Sequence, residues 1–180
     1  MKKEKIAIIG GAGHVGAPLG IALASKGFKT TLVDLNKKYI KKINNGKMPF
    51  LEEGCEILLK KTLKKKMIFA TNDYSEIKKN KIIIIAIGTD IKKNFKPELK
   101  KFLKFFHSLK KEINNSHSII IRSSIYPGAY DKVYSIIKSK CKNLTYCPER
   151  IAQGQSIIEL PRIAQIISGN NQNEIKKISK

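Results

Sequence analysis

The residues best suited to chemistry come early in the chain: Gly11-Ala12-Gly13-His14-Val15-Gly16 is a G-x-G-x-x-G hexad set directly after the apolar run Ile6-Ala7-Ile8-Ile9. Between a strand and a helix, this spacing cradles a diphosphate. Gly11 permits the tight turn, Gly13 removes the side chain that would block a pyrophosphate, and Gly16 lets helix and strand pack closely. The helical stretch from Ala17 to Ser25 then offers backbone N–H groups and a partial positive charge. His14 and Val15 belong to the same loop, and His14 is read as giving its N–H while its ring turns aside. The second half of the pattern is an acid closing the next strand about 20 positions on, and Thr31-Leu32-Val33-Asp34 provides it. Asp34 would accept hydrogen bonds from the adenosine ribose and repel a 2′-phosphate, which favours NAD over NADP even with Lys37 and Lys38 nearby. The bland alternative is a turn whose carboxylate only caps the chain from Asn36 onward.

Such a loop needs a sheet edge to stand on. Short apolar runs alternate with amphipathic stretches, as buried parallel strands alternate with crossover helices. Six strands are expected: Ile6–Ile9, Thr30–Val33, Met67–Ala70, Ile82–Ile87, Ser118–Ile121 and Asn143–Tyr146. Leu99, Phe102, Leu103, Phe106, Leu109 and Ile113 share one helical face, so the phenylalanines are read as core. Lys60 to Lys66 reads as the solvated end of another helix, Thr71-Asn72-Asp73 as a cap, and Asn173 to Lys180 as the start of a last helix. The expected fold is α/β, a doubly wound Rossmann domain with a six-stranded, mostly parallel sheet flanked by helices, spanning 1–180.

Composition narrows the partners. The chain has 180 residues, 42% of them hydrophobic, which suits one core. Its 36 Lys and Arg against 14 Asp and Glu give a formal net charge of +22. Only Arg122, Arg150 and Arg162 are arginines, and the lysines are scattered over helix faces rather than clustered with aromatics, so nucleic acid is not the expected partner. The field would still draw in pyrophosphates. Cys55, Cys141 and Cys147 lack C-x-x-C spacing and form an odd set, which argues against disulfides or a metal site and for a reducing, cytoplasmic setting. His107 and His117 have no spaced partners and read as surface or core residues. No stretch approaches the roughly 20 apolar residues of a membrane span.

From the hexad onward the chain resembles the UDP-glucose/GDP-mannose dehydrogenase family. Gly11 to Leu19 and Asp34 are similar to its glycine loop and ribose acid, and Pro49-Phe50-Leu51-Glu52-Glu53-Gly54 to its proline, glutamate and glycine loop. Ile87-Gly88-Thr89-Asp90 stands in the place of a Thr-Pro element, Arg122-Ser123-Ser124-Ile125-Tyr126-Pro127-Gly128 in that of a Ser-Thr-Val-x-Pro-Gly turn, and Cys147-Pro148-Glu149-Arg150-Ile151-Ala152-Gln153-Gly154 in that of a Pro-Glu-Arg segment. That last segment, with Glu159-Leu160, looks most like the UDP-N-acetylhexosamine branch, UDP-N-acetylmannosamine among its substrates.

The resemblance implies oxidation of a sugar C6 hydroxyl to a carboxylate with two NAD. It implies that Thr89, Ser123 and Ser124 border the cofactor, that Glu149 takes part in positioning and proton transfer with Ser124 as its hydrogen-bonding neighbour, and that Glu149, Arg150 and Ile151 border the sugar-nucleotide. Each has a bland alternative: Thr89 and Ser124 could only satisfy loop backbone, and Glu149 could be a helix-start or surface carboxylate. Two departures stand out. Ser124 replaces a Thr, which removes the methyl that fixes the rotamer, and Asp90 replaces a Pro, which puts a negative charge near the cofactor.

The resemblance further implies that a nucleophilic Cys, a catalytic Lys, a dimerisation helix and most sugar contacts lie outside this chain. It is then expected to be incompetent alone and to act as a homodimer or with a complementing C-terminal half. A non-catalytic NAD-binding module and a dehydrogenase of the 3-hydroxyacid or 6-phosphogluconate type are the competing readings.

Overall fold

The computed structural model describes residues 3–91 and 97–179. Runs of β-branched residues that bury both faces require a helical layer on each side, and the chain supplies both layers. The sheet strands are β1 (Ile6–Ile9), β2 (Thr30–Val33), β3 (Ile68–Thr71), β4 (Ile82–Ile85), β7 (Ser118–Ile121), β8 (Leu144–Tyr146) and β9 (Ser168–Gly169), with β5 (Asp90–Ile91) and β6 (Pro97–Glu98) forming a separate hairpin. The helices are α1 (Gly16–Ser25), α2 (Lys37–Asn44), α3 (Cys55–Lys64), α4 (Leu99–Leu109), α5 (Ala129–Ile137), α6 (Ser156–Glu159) and α7 (Gln172–Ile178). A 3-10 turn spans Tyr74–Lys79, capped by Asp73.

The sheet order is β3-β2-β1-β4-β7-β8-β9. All pairings are parallel except β8 with β9. Register aligns Leu32, Ile8, Ile84 and Ile120 on neighbouring strands. Those four face α1 and α3 through Ala17, Ile21 and Leu59, while Ile9, Ile83, Ile85, Ile119 and Ile121 face α4 and α5 through Phe102, Phe106, Val133 and Ile137. Strand order reverses between β1 and β4, so the connections leaving their C-terminal ends diverge and open a crevice there.

The six expected strands are present with small shifts, and the sheet carries a seventh. Ile82–Ile87 shortens to Ile85 because its register partner Ile9 ends β1, and Gly10 then turns the chain away. The seventh strand, Ser168–Gly169, has neither alternation nor β-branched residues and owes its place to Thr145 and Tyr146 beside it. The side chains of 90–97 lie outside the described residues, and with them the charge expected of Asp90. Among the described residues no helix is long and apolar enough to cross a membrane.

The outer edge of β3 is closed by a side chain. The Asn44 amide donates to the Ala70 carbonyl and accepts from the Ala70 N–H, both at 2.8 Å, as another strand would. Replacing Asn44 with Ala should lower stability by about 1–2 kcal/mol, read as a drop in the urea midpoint at unchanged slope.

Candidate functional site

The crevice is floored by the glycine turn. The Gly10 and Gly11 N–H groups both donate to the Val33 carbonyl, at 3.0 and 3.1 Å, which locks the end of β1 to the end of β2. Gly13 N–H closes the turn onto Gly10, and Ala17 N–H donates to the Gly13 carbonyl. The N–H groups of His14, Val15 and Gly16 donate to nothing among the described residues, and Pro18 in the first turn of α1 has none to offer. Three free donors on a helix N-terminus are a place for an anion.

The three glycines differ in what surrounds them. A Cβ at Gly11 would lie 2.6 Å from the Ile8 carbonyl oxygen and 2.8 Å from Leu32 Cα, and one at Gly16 would lie 2.3 Å from the Gly10 oxygen. At Gly13 a Cβ would meet only the Gly10 oxygen, at 3.3 Å. Gly11 and Gly16 are therefore demanded by packing, whereas the space beside Gly13 is open. That is the geometry required for a diphosphate to approach the backbone.

Asp34 ends β2 half-buried. One of its oxygens accepts from Ala12 N–H and the other from Asn36 N–H, each at 2.9 Å. The cap of α2 is the Asn36 side chain, bonded to Tyr39 N–H, so Asp34 does more than start that helix. It ties the glycine loop to β2, and each oxygen keeps a lone pair for a ribose hydroxyl. The His14 ring stacks on Phe50 with centroids 3.8 Å apart.

At the other end of the crevice the loops after β4, β7 and β8 are stitched together. Ser123 is buried, and its hydroxyl donates to the Ile87 carbonyl at 2.7 Å. The Thr89 hydroxyl donates to the Ser124 carbonyl at 2.8 Å. Both thus commit their protons to loop backbone and present only lone pairs. Ser124 is exposed, and its hydroxyl has no hydrogen-bond partner among the described residues.

Glu149 is neither a surface carboxylate nor bonded to Ser124. Its two oxygens accept from Arg122 Nε and Nη2, each at 3.1 Å, and one accepts also from the N–H groups of Arg150 and Ile151 at 2.8 and 3.0 Å. The side chains are 5% exposed for Arg122 and 14% for Glu149. The expected Ser124 partnership fails because a bidentate guanidinium satisfies the carboxylate first. Arg122 also donates through Nη1 to Cys147 Sγ at 3.0 Å and to Gln165 Oε1 at 2.6 Å. Arg150 reaches the Ala164 carbonyl, while Ile151 is half-buried beside it.

Two residues of this site carried no role in the sequence reading: Arg122, and Glu52, whose carboxylate accepts from the N–H groups of Gly154 and Ser156. A rare Arg immediately after Ser118-Ile119-Ile120-Ile121, where the strand is buried, was the available signal for the first. Glu52 had none beyond its motif. The three cysteines are free and buried. Burial, aided by the Glu52 charge, pushes the Cys55 thiol up to about 12, and burial also raises Cys141. No group of three metal-ligating side chains occurs among the described residues.

Fold, free donors and an acid fixed beside the glycine turn together define a dinucleotide-binding domain of the doubly wound class. More narrowly, the chain belongs to the UDP-glucose/GDP-mannose dehydrogenase family, whose NAD-binding domain model matches residues 4–180; its cofactor is NAD. It is 32% identical over 176 residues to a UDP-N-acetyl-D-mannosamine dehydrogenase of Methanococcus vannielii, covering 95% of this chain and 40% of that one. It is 35% identical over 139 residues to a GDP-mannose 6-dehydrogenase of Pseudomonas syringae pv. tomato, covering 73% and 31%. The fold matches the UDP-D-ManNAc dehydrogenase structure from Pyrococcus horikoshii with a TM-score of 0.89 at 24% identity, covering 97% of this chain and 43% of that one. The chain thus spans two fifths or less of the length of these two sequence relatives.

Two outcomes follow from the geometry. Gly13→Ala should fold with little loss of stability yet weaken NAD binding at least tenfold, about 1.4 kcal/mol, whereas Gly11→Ala should lose stability as well; calorimetry and thermal melts on both variants separate the two effects. Breaking the buried pair from one side, by Arg122→Met or Glu149→Leu, should cost about 3–5 kcal/mol, and the double variant should cost less than the sum, as a urea double-mutant cycle would measure.

Proposed function

We propose that this chain is the cofactor-holding part of a sugar-nucleotide 6-dehydrogenase that oxidises the C6 hydroxyl of a UDP-sugar to a carboxylate with two NAD. The observation that carries this is the row of unpaired N–H groups at His14, Val15 and Gly16, set beside open space at Gly13 and an Asp34 carboxylate fixed by Ala12. When bound, NAD supplies the hydride acceptor. The loop N–H groups hold its diphosphate, Asp34 takes the adenosine ribose hydroxyls, and the exposed Leu35 beside it gives the base an apolar neighbour. Thr89, Ser123 and Ser124 shape the nicotinamide end.

Each oxidation also releases a proton, and the second takes its oxygen from water. Glu149, whose Oε1 accepts from Arg122 Nη2 and the N–H groups of Arg150 and Ile151 while Oε2 accepts from Arg122 Nε, is suited to orient the reacting sugar and water as a fixed anion, and Oε2 keeps a lone pair for a further donor. Ser124 offers an exposed hydroxyl. Arg150 and Ile151 border the sugar-nucleotide. Matches across nearly the whole chain to UDP-N-acetyl-D-mannosamine dehydrogenases favour a UDP-N-acetylhexosamine over GDP-mannose.

The second oxidation needs a nucleophilic thiolate. Cys55, Cys141 and Cys147 are all buried, away from where a nucleophile must meet the sugar, and burial pushes the thiols of Cys55 and Cys141 up and so disfavours their thiolates. A homodimer mate and a complementing C-terminal half are the proposed partners, and only the second can supply a nucleophile from outside these residues.

Titration calorimetry tests the cofactor part. NAD should bind and NADP at least about tenfold more weakly, and Asp34→Ser should narrow that gap. No NAD heat at millimolar cofactor would overturn the reading.

A further inference from the structure

The loop 49–54 inverts the usual placement of side chains: Leu51 is 94% exposed whereas Glu52 is 5% exposed. A buried carboxylate is expensive unless it is paired or fully hydrogen-bonded, and no cation pairs with Glu52 among the described residues. Its partners are backbone. One oxygen accepts from Ser156 N–H at 2.6 Å and the other from Gly154 N–H at 3.0 Å, while Glu53 N–H donates back to the Gly154 carbonyl at 3.0 Å. These bonds span 104 and 102 residues of sequence and seize the segment that runs on from Glu149, Arg150 and Ile151. The same loop reaches the cofactor end through Phe50, whose ring lies on His14. His14 carries one of the three unpaired N–H groups of the glycine turn. Two residues of one short loop therefore touch both ends of the crevice, and the segment 149–156 is held by Arg122 at one end and Glu52 at the other.

We infer that Glu52 is a positioning residue: with Phe50 it couples occupation of the phosphate loop to the order of the segment that borders the sugar-nucleotide, so that the cofactor prepares the second site. This rests on the reading of Gly11 to Gly16 as the NAD loop. A diphosphate seated on the His14 N–H fixes the residue on which Phe50 stacks. The loop 49–54 then loses freedom, and the carboxylate that it carries holds Gly154 and Ser156 more tightly. The amides that report the coupling are the ones that make the bonds, because an N–H exchanges with solvent only when its bond opens.

Hydrogen exchange on the 180-residue chain, with and without saturating NAD, tests it. NAD should slow exchange at His14 to Gly16 and also, by at least about fivefold, at Gly154 and Ser156. In Glu52→Gln, which sets an amide NH2 against one of those N–H groups, the phosphate loop should still respond to NAD and the distant amides should not. Phe50→Leu leaves both Glu52 bonds in place. It should therefore keep the cofactor-free exchange of Gly154 and Ser156 unchanged while removing the NAD effect, a result that a purely structural staple would not give, and it carries the test if Glu52→Gln does not fold. Protection of the phosphate loop alone in the natural chain, or an NAD effect at Gly154 and Ser156 that survives Phe50→Leu, would overturn the coupling and leave the cofactor reading intact. No protection at either place would overturn both.

Discussion

The contact on which the rest depends is the approach of the glycine turn to the ends of β1 and β2. Two successive N–H groups share the Val33 carbonyl, and Asp34 reaches back to Ala12. With Gly11 and Gly16 against backbone atoms, α1 is held hard on the sheet. Its first turn is left facing the crevice with donors that no protein group satisfies. A helix placed even slightly farther away would leave its N–H groups less able to hold an anion in the crevice, because the favourable field falls off within the first turn. Packing and binding are here two consequences of one absent Cβ after another.

The far end of the crevice is organised by buried charge. From the end of β7, Arg122 gathers two segments through one guanidinium: 147–149 after β8, by the Glu149 carboxylate and the Cys147 carbonyl and sulfur, and the returning chain at Gln165. Glu52 does the corresponding work with a negative charge and only backbone donors. Neither arrangement is the cheapest way to stabilise a domain, since apolar replacements of buried ion pairs are often at least as stable. Each fixes the path of a loop that has little apolar contact of its own. Those loops are thereby held by polar groups that can be satisfied only in one geometry.

The high positive charge belongs to a different level. Its lysines lie on solvated faces, some paired as in Lys60 with Glu56 and Lys79 with Glu76. They shape the long-range field rather than the site, whose own charged groups are the few acids and arginines described above.

Much of this molecule was written in local pattern. The runs Ile6–Ile9 and Ser118–Ile121 announce strands buried on both faces, Phe102 and Phe106 announce the core face of α4, and Gly11, Gly13, Gly16 and Asp34 announce the cofactor turn, because each of these depends on side chains a few residues apart. What the amino-acid order could not disclose are pairings across great sequence distance. Glu149 reads as a helix-start or surface carboxylate or, by the family resemblance, as a neighbour of Ser124, and folding gives it to Arg122. Glu52 reads only as a member of a proline, glutamate and glycine loop, and folding buries it against the N–H groups of Gly154 and Ser156. Ser168 and Gly169 become a strand only because β8 has an unpaired edge. Hydrogen bonds and ion pairs are decided by which groups arrive within about 3 Å of one another. That is a property of the closed tertiary structure, whereas periodicity and turn chemistry are properties of the chain itself.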